Sequence, residues 1–220
     1  MIDPARTFST VYASSANSKA LRMIKRAAHG ARSNNPILIR GPVGSGKTQL
    51  MHAIANATIL GASRPVRVLT AAGFRDDFVD AIRGGLYHSY RQTLAASGTL
   101  LVDALEDLAQ SPSTEEVLAA ATRAVVVAGG LVVLAVGPTS PDHDSRIQAW
   151  LATFPRATVL RWRAPNLEVR TTALARSARA LAITLPRRKI VEAARGARTI
   201  PEATALLHRM ALTAAQRRRA

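Results

Sequence analysis

Residues 36–48 read PILIRGPVGSGKT, and their interpretation decides the fold. Pro36-Ile37-Leu38-Ile39-Arg40 is a short apolar run that stops at a glycine, and from Lys47 through Ala57 apolar residues recur at helical spacing. Between them, Gly41-Pro42-Val43-Gly44-Ser45-Gly46-Lys47-Thr48 satisfies the pattern G-x-x-x-x-G-K-[ST]. A glycine-rich turn can merely join two elements, but a strand before it and a helix after it are the context of a phosphate cradle. Glycines let successive backbone N–H groups turn inward toward an anion, and the helix N-terminus adds the positive end of its dipole. Gly41, Val43, Gly44, Ser45, Gly46, Lys47, Thr48 and Gln49 are therefore the expected nucleotide site. Lys47 would bridge the β- and γ-phosphates, and the Thr48 hydroxyl would hold Mg²⁺.

The other half of such a site is an acid at the end of a neighbouring buried strand. Leu100-Leu101-Val102-Asp103 supplies one, and Asp103 is expected to join Thr48 around the Mg²⁺; its plainer reading is a turn or cap residue in Asp103-Ala104-Leu105-Glu106. Further outward, Ser18 to Arg32 has helical spacing with Asn17 as a candidate N-cap, and Val66 to Thr70 reads as a strand. Ala72 to Tyr90 reads as one helix, Thr99 to Asp103 as a strand and Thr114 to Ala128 as a helix. Leu131 to Val136 is apolar throughout and suits a central strand covered on both faces, and Thr158 to Trp162 is a weaker fifth strand. Strands alternating with helices imply an α/β fold, a mostly parallel sheet flanked by helices. After Pro165 the strand signal ends, and Asn166–Ala182, Arg187–Ala197 and Pro201–Ala214 read as three helices of a small lid. The expected division is a nucleotide-binding α/β domain over residues 1–164, a helical lid over 165–214 and a basic tail over 215–220.

With 48% hydrophobic and 20% charged residues, the 220-residue chain has enough apolar surface to fold. It has no cysteine, which excludes disulfides, thiol nucleophiles and thiolate zinc sites. The histidines His29, His52, His143 and His208 lack metal-ligand spacing and read as structural or solvated. No apolar run approaches the roughly 20 residues that cross a bilayer, and Asp3 and Pro4 stand where a leader would be basic then apolar. A cytoplasmic protein is expected. The net charge is +16, of which residues 141–220, with 16 basic and 5 acidic side chains, carry +11. That end is the expected polyanion-facing part, although an arginine-rich composition alone gives the same count.

The motifs together resemble the AAA+ module of bacterial DnaA-type replication initiators and their shorter Hda-type relatives, over nearly the whole chain. Phe8-Ser9-Thr10-Val11-Tyr12 with Asn17 is similar to the family's F-x-x-F-V…N box, and Asn35-Pro36-Ile37-Leu38-Ile39 to its N-P-L-f-i. Gly46-Lys47-Thr48-Gln49-Leu50-Met51-His52-Ala53-Ile54-Ala55-Asn56 resembles G-K-T-H-L-x-H-A-I-x-N, and Pro165-Asn166-Leu167-Glu168-Val169-Arg170 resembles the P-x-L-E-x-R that opens the lid. The resemblance implies an AAA+ fold, ATP or ADP with Mg²⁺, and a role in DNA replication or its regulation. It also places Tyr87, His88, Tyr90 and Arg91 roughly where the initiators carry a single-strand-contacting insert; a half-buried helix face is the alternative.

Departures from the family temper this. Ala104 stands where a second acid polarises the attacking water, and Val136-Gly137-Pro138 where a sensor strand ends in S-D. Ala152-Thr153-Phe154 aligns with S-R-F, and Thr199 to Ala205 with N-V-R-E-L-E-G, so both arginines of those motifs are missing. Glu106, Asp107, Thr139, Arg146, Arg156 and Arg198 lie close enough to substitute. The expectation is a nucleotide-dependent switch that binds replication proteins (initiator, helicase or clamp) and hydrolyses ATP slowly or not at all, with no assigned catalytic residue. Nothing in residues 1–220 resembles the initiators' helix-turn-helix reader or the clamp-binding peptide of the Hda type, so any DNA binding is expected to be non-specific. The alternatives are a helicase-loader or transposition ATPase of the DnaC/IstB kind, and an interaction module with a relic P-loop.

Overall fold

The computed structural model describes the backbone of residues 2–61 and 64–217, with side chains as far as Thr213. The chain divides into two compact units, of which the first comprises Met1–Val11, Lys19–Val43 and Lys47–Trp162. Its centre is a parallel sheet of β1 (Ile37–Arg40), β2 (Val66–Thr70), β3 (Thr99–Asp103), β4 (Leu131–Val136) and β5 (Thr158–Arg161), ordered β2-β3-β4-β1-β5. All six residues of β4 are buried between β3 and β1, as its unbroken apolar run requires of a strand with no solvent face.

Helices α1 (Ser18–Ala28), α2 (Lys47–Ile59), α3 (Ala71–Arg83), α4 (Tyr87–Ala95), α5 (Pro112–Val127) and α6 (Pro141–Leu151) accompany the sheet. Alternate strand residues point to opposite faces. Leu38, Leu100, Val102, Val132 and Leu134 join Phe74, Leu94, Leu118, Val125 and Ile147 in one core. Residues of the other phase, Ile37, Ile39, Leu101 and Val133, are equally buried, and α2 packs on β2, β3 and β4.

Two elements differ from the sequence reading. The single helix expected over Ala72–Tyr90 is a pair, because Gly84 and Gly85, the latter at φ +68°, break the run between α3 and α4. Helix α6 had no counterpart in that reading, since only Ile147, Trp150 and Leu151 mark its apolar face; yet the Ser140 hydroxyl caps it by accepting from His143 N and Pro141 opens it. Asn17 is also not an N-cap: its side chain donates to Arg163 O and accepts from Arg163 N, both at 2.9 Å.

The second unit comprises Tyr12–Ser18, Gly44–Gly46 and Arg163–Ala220. Its helices α7 (Leu167–Ala180), α8 (Arg187–Arg195) and α9 (Ile200–Arg217) bury Leu174, Ala178, Ile190, Ala194 and Leu207 in a small core of their own. Asn166 caps α7 by accepting from Val169 N. Residues 218–220 of the expected basic tail lie outside the described residues.

Buried Asn35, from the N-P box, explains why that box precedes β1. Its amide donates to Gly130 O at 2.8 Å and accepts from Val132 N at 2.9 Å, fixing the entry to β1 against the start of β4. Asn35→Ala leaves two buried backbone groups without partners and should lower stability by about 2 kcal/mol in urea unfolding. An unchanged midpoint would contradict this role.

Candidate nucleotide-phosphate site

The loop at the carboxyl end of β1 passes directly into α2, and its geometry follows from its glycines. Gly44 and Gly46 adopt φ +72° and +94°, conformations a β-carbon disfavours, and this allows a tight turn just ahead of the helix N-terminus. Gly41 N donates to Val136 O at 3.2 Å, tethering the start of the loop to the end of β4. Lys47 is buried, and its ammonium donates to Gly41 O at 2.8 Å and Pro42 O at 3.1 Å, with no carboxylate at ion-pair distance among the described residues. Burial pushes the Lys47 pKa down, and the charges of Glu106 and Asp103 pull it back. A buried ammonium satisfied only by carbonyls suits a phosphate well, because an anion in its place offsets the desolvation.

The Thr48 hydroxyl donates to Asp103 Oδ2 at 2.5 Å, and Asp103 Oδ1 accepts from Ala104 N at 2.9 Å. Asp103 is thus both a turn residue and a partner of Thr48. One hydroxyl beside one buried carboxylate is the oxygen donor set a hard cation such as Mg²⁺ takes alongside phosphate oxygens and water. No group of three or more His, Asp or Glu able to hold a metal occurs among the described residues. The Val43 side chain is 75% exposed, so it offers the site only its backbone. Gln49 offers likewise only its backbone, because its side-chain amide donates to Thr10 Oγ1 at 2.8 Å.

That last bond is one of a row which the sequence reading missed. Gln49, His52 and Asn56 lie at helical spacing along α2. His52 Nδ1 accepts from Asp3 N at 3.2 Å, and the Asn56 amide donates to Asp3 O and Arg6 O, each at 2.8 Å. The polar positions of the T-Q-L-M-H-A-I-A-N run therefore fasten the N-terminal segment onto the helix that begins at the phosphate loop. The signal is three polar residues three and four apart in a helix whose other positions from Leu50 to Ala57 are apolar.

The candidate substitutes separate clearly. Ala104 takes a left-handed conformation, φ 58°, and turns the chain into a short 3-10 helix, Leu105–Leu108. That turn carries Glu106 to the end of β4, where Oε2 accepts from Gly137 N at 2.6 Å; Asp107 is exposed. Thr139 bonds the His143 ring at 2.7 Å, and Arg146 is spent on Glu115 Oε2 at 3.1 Å and Ala109 O at 2.8 Å. Arg156 and Arg198 are exposed in the first and second units. At the S-R-F position the sequence reading found only Thr153. There Arg123 of α5 donates to Thr153 Oγ1 at 2.9 Å and lies over the Phe154 ring at 5.2 Å, so a guanidinium does stand at that corner, supplied by a distant part of the sequence.

On the helix pair α3–α4, Tyr90 is half-buried, with its hydroxyl 3.4 Å from Phe74 O, which is a packing role. Tyr87 is exposed with Arg91 over its ring at 5.5 Å, and Ile82 and Leu86 are exposed nearby in sequence.

The parallel sheet in this order, with a G-x-x-x-x-G-K-[ST] loop after β1 and an acid ending β3, defines a P-loop protein of the AAA+ class. Residues 2–153 match the model of the bacterial DnaA ATPase domain, and the chain belongs to that family. The chromosomal replication initiator protein DnaA of Bradyrhizobium sp. (strain BTAi1 / ATCC BAA-1182) is 32% identical over 158 residues, 69% of this chain and 33% of that protein. The chain thus spans about a third of the length of the curated relatives it matches. A solved DnaA bound to AMPPCP and single-stranded DNA has a TM-score of 0.80 at 19% identity, covering 94% of this chain and 65% of that one. The DnaC helicase loader is a weaker likeness, with a TM-score of 0.58 at 16% identity over 72% of this chain and 97% of that one. No helix among the described residues is long and apolar enough to cross a membrane.

The buried cluster beside the loop after β4 has a pH consequence. Burial lowers the His143 pKa below the usual 6.5 and Arg146 lowers it further, against the pull of Glu115, Asp144 and Glu106. The folded ring takes up its proton at lower pH than the unfolded chain, which does so near 6.5, so stability present above that pH is lost as the pH falls below it. Urea midpoints measured between about pH 7.5 and 5.5 should decline less steeply in His143→Asn than in wild type. Identical slopes in the two proteins would contradict the assignment.

Proposed function

We propose that this chain is an ATP- or ADP-binding switch of DNA replication or its regulation, which engages a partner according to its nucleotide and hydrolyses ATP slowly. The observation that carries this reading is the intact cradle: buried Lys47 with carbonyl partners only, and Thr48 paired with Asp103. Gly41, Val43, Gly44, Ser45, Gly46 and Gln49 would supply backbone contacts to the phosphates, and Thr48 and Asp103 would hold Mg²⁺ directly or through water. Family membership supports adenine nucleotide as the ligand and replication as the setting, in the cytoplasm; the initiator, the helicase or the clamp are the partner classes to test. Residues 1–164 would act as the nucleotide-binding domain, 165–214 as the lid and 215–220 as a basic tail.

Slow turnover is argued from position. Pro201 of α9 stands where the lid's arginine would be. An arginine acting on the transferring phosphoryl group can be worth about 10³–10⁵ in rate, whereas ground-state binding does not need it. The helicase-loader reading has the weaker likeness in its favour. A relic P-loop is disfavoured by the cradle's completeness, since a loop released from phosphate binding has no reason to keep both left-handed glycines and the buried lysine.

Titration calorimetry with MgATP and MgADP should give saturable heat, and Lys47→Ala should abolish it. Absence of heat from the wild-type protein at millimolar nucleotide would favour the interaction module.

A DNA contact is the second element of the reading. The charge of residues 141–220 and the exposed Tyr87–Arg91 pair are independent supports for it. Binding to single and double strands should be indifferent to sequence and should fall steeply between roughly 50 and 200 mM salt as counterions are released. A preference above about tenfold for an origin sequence would contradict this element.

A further inference from the structure

Glu106 occupies a position that the sequence pattern does not assign. β4 lies between β3, which ends at Asp103, and β1, which leads into the phosphate loop. Ala104, in its left-handed conformation, redirects the chain so that Glu106 reaches across from the end of β3 to the end of β4. The Val136–Gly137 peptide then joins two parts of the site. Val136 O accepts from Gly41 N of the loop, whose carbonyl holds the Lys47 ammonium, and Gly137 N donates to Glu106 Oε2. Glu106 is also the first of the charges acting on Lys47, ahead of Asp103.

The space for this carboxylate is made by the absence of a side chain at residue 137. A β-carbon there would stand 2.5 Å from Glu106 Oε1 and 2.9 Å from its carboxyl carbon, closer than atoms can approach. The sequence departures at 104 and 137 are thus one coupled arrangement. A residue without an acid makes the turn, and a glycine clears the place to which the turn delivers one. Oε2 is fixed by the Gly137 N–H, while no donor to Oε1 is found among the described residues.

We propose that Glu106 is the residue which polarises the attacking water in this chain, in place of an acid at 104. The proposal rests on the nucleotide reading above and goes beyond it by assigning the base. The water oxygen bonds to the γ-phosphorus as the bond from that phosphorus to the bridging oxygen breaks, and ADP leaves with the electron pair. The water proton passes to Glu106 Oε1 and then to the phosphate released. Holding Oε2 on a backbone N–H fixes the carboxylate's orientation, as a positioned base requires.

The test compares wild type, Glu106→Gln and Gly137→Ala in three measurements: MgADP affinity, single-turnover ATP hydrolysis, and affinity for ADP with aluminium fluoride, a mimic of the transferring phosphoryl group. Both variants should bind MgADP within about threefold of wild type. Both should lose about tenfold or more in hydrolysis and in the extra affinity for the fluoride complex over ADP alone. Gly137→Ala changes no titratable group and acts only by displacing the carboxylate, so agreement between the two variants separates a role in transfer from loss of charge. A wild-type protein that binds no nucleotide would sink the nucleotide reading itself. Normal MgADP binding with hydrolysis and fluoride affinity unchanged in Glu106→Gln would overturn the assignment alone, as would a wild type that binds MgADP but gains no affinity from the fluoride.

Discussion

The hydrogen bond from Thr48 to Asp103 joins the first turn of α2 to the end of β3, and the rest of the site is arranged around it. A short bond to a buried carboxylate is among the stronger polar contacts a protein makes. It demands that β3 end beside α2 and that the loop before α2 turn tightly enough to bring Thr48 there. The left-handed glycines meet the second demand. The buried position of β3 in the sheet, where all five of its residues are covered, meets the first. Lys47 completes the arrangement by folding its charge back onto two carbonyls of its own loop, which keeps a desolvated ammonium in place without a carboxylate to neutralise it.

Helix α2 serves two surfaces at once. Leu50, Met51 and Ile54 are fully buried, while Gln49, His52 and Asn56 bind the N-terminal segment through its backbone and Thr10. The helix that would present its N-terminus to a phosphate is therefore held by a core on one side and by a strap of chain on another. An element held on two sides keeps its N-terminal N–H groups aimed with little reorganisation when an anion arrives.

Much of this was legible in the sequence for a plain reason: the strands of a buried parallel sheet are apolar runs bounded by glycine, and β1, β3 and β4 have no competing pattern. The cradle was legible because its chemistry needs fixed residue types at fixed spacing. What escaped depends on contacts that spacing does not encode. Helix α6 hid behind its polar residues, since Asp142, His143, Asp144, Ser145, Arg146 and Gln148 outnumber Ile147, Ala149, Trp150 and Leu151. Gly84 and Gly85 break the helix although apolar spacing continues across them, so periodicity alone does not reveal the break. The sequence offers Glu106 only as one of six nearby candidates and gives no sign of Arg123. One depends on a left-handed alanine and the other on the approach of α5 to the end of α6. Motif alignment scores both places as empty, yet the fold fills them from neighbouring and distant residues.

The central claim is that the cradle is a working nucleotide site rather than an inherited shape. The most direct measurement is the nucleotide released by denaturing freshly purified protein, quantified per chain and compared with Lys47→Ala prepared in the same way. The account predicts ADP or ATP carried by the wild type and none by the variant. Wild-type protein that comes away empty, and whose melting temperature saturating MgADP leaves unmoved, would contradict it, since a ligand at about a hundredfold above its Kd stabilises the folded state by about 2.7 kcal/mol.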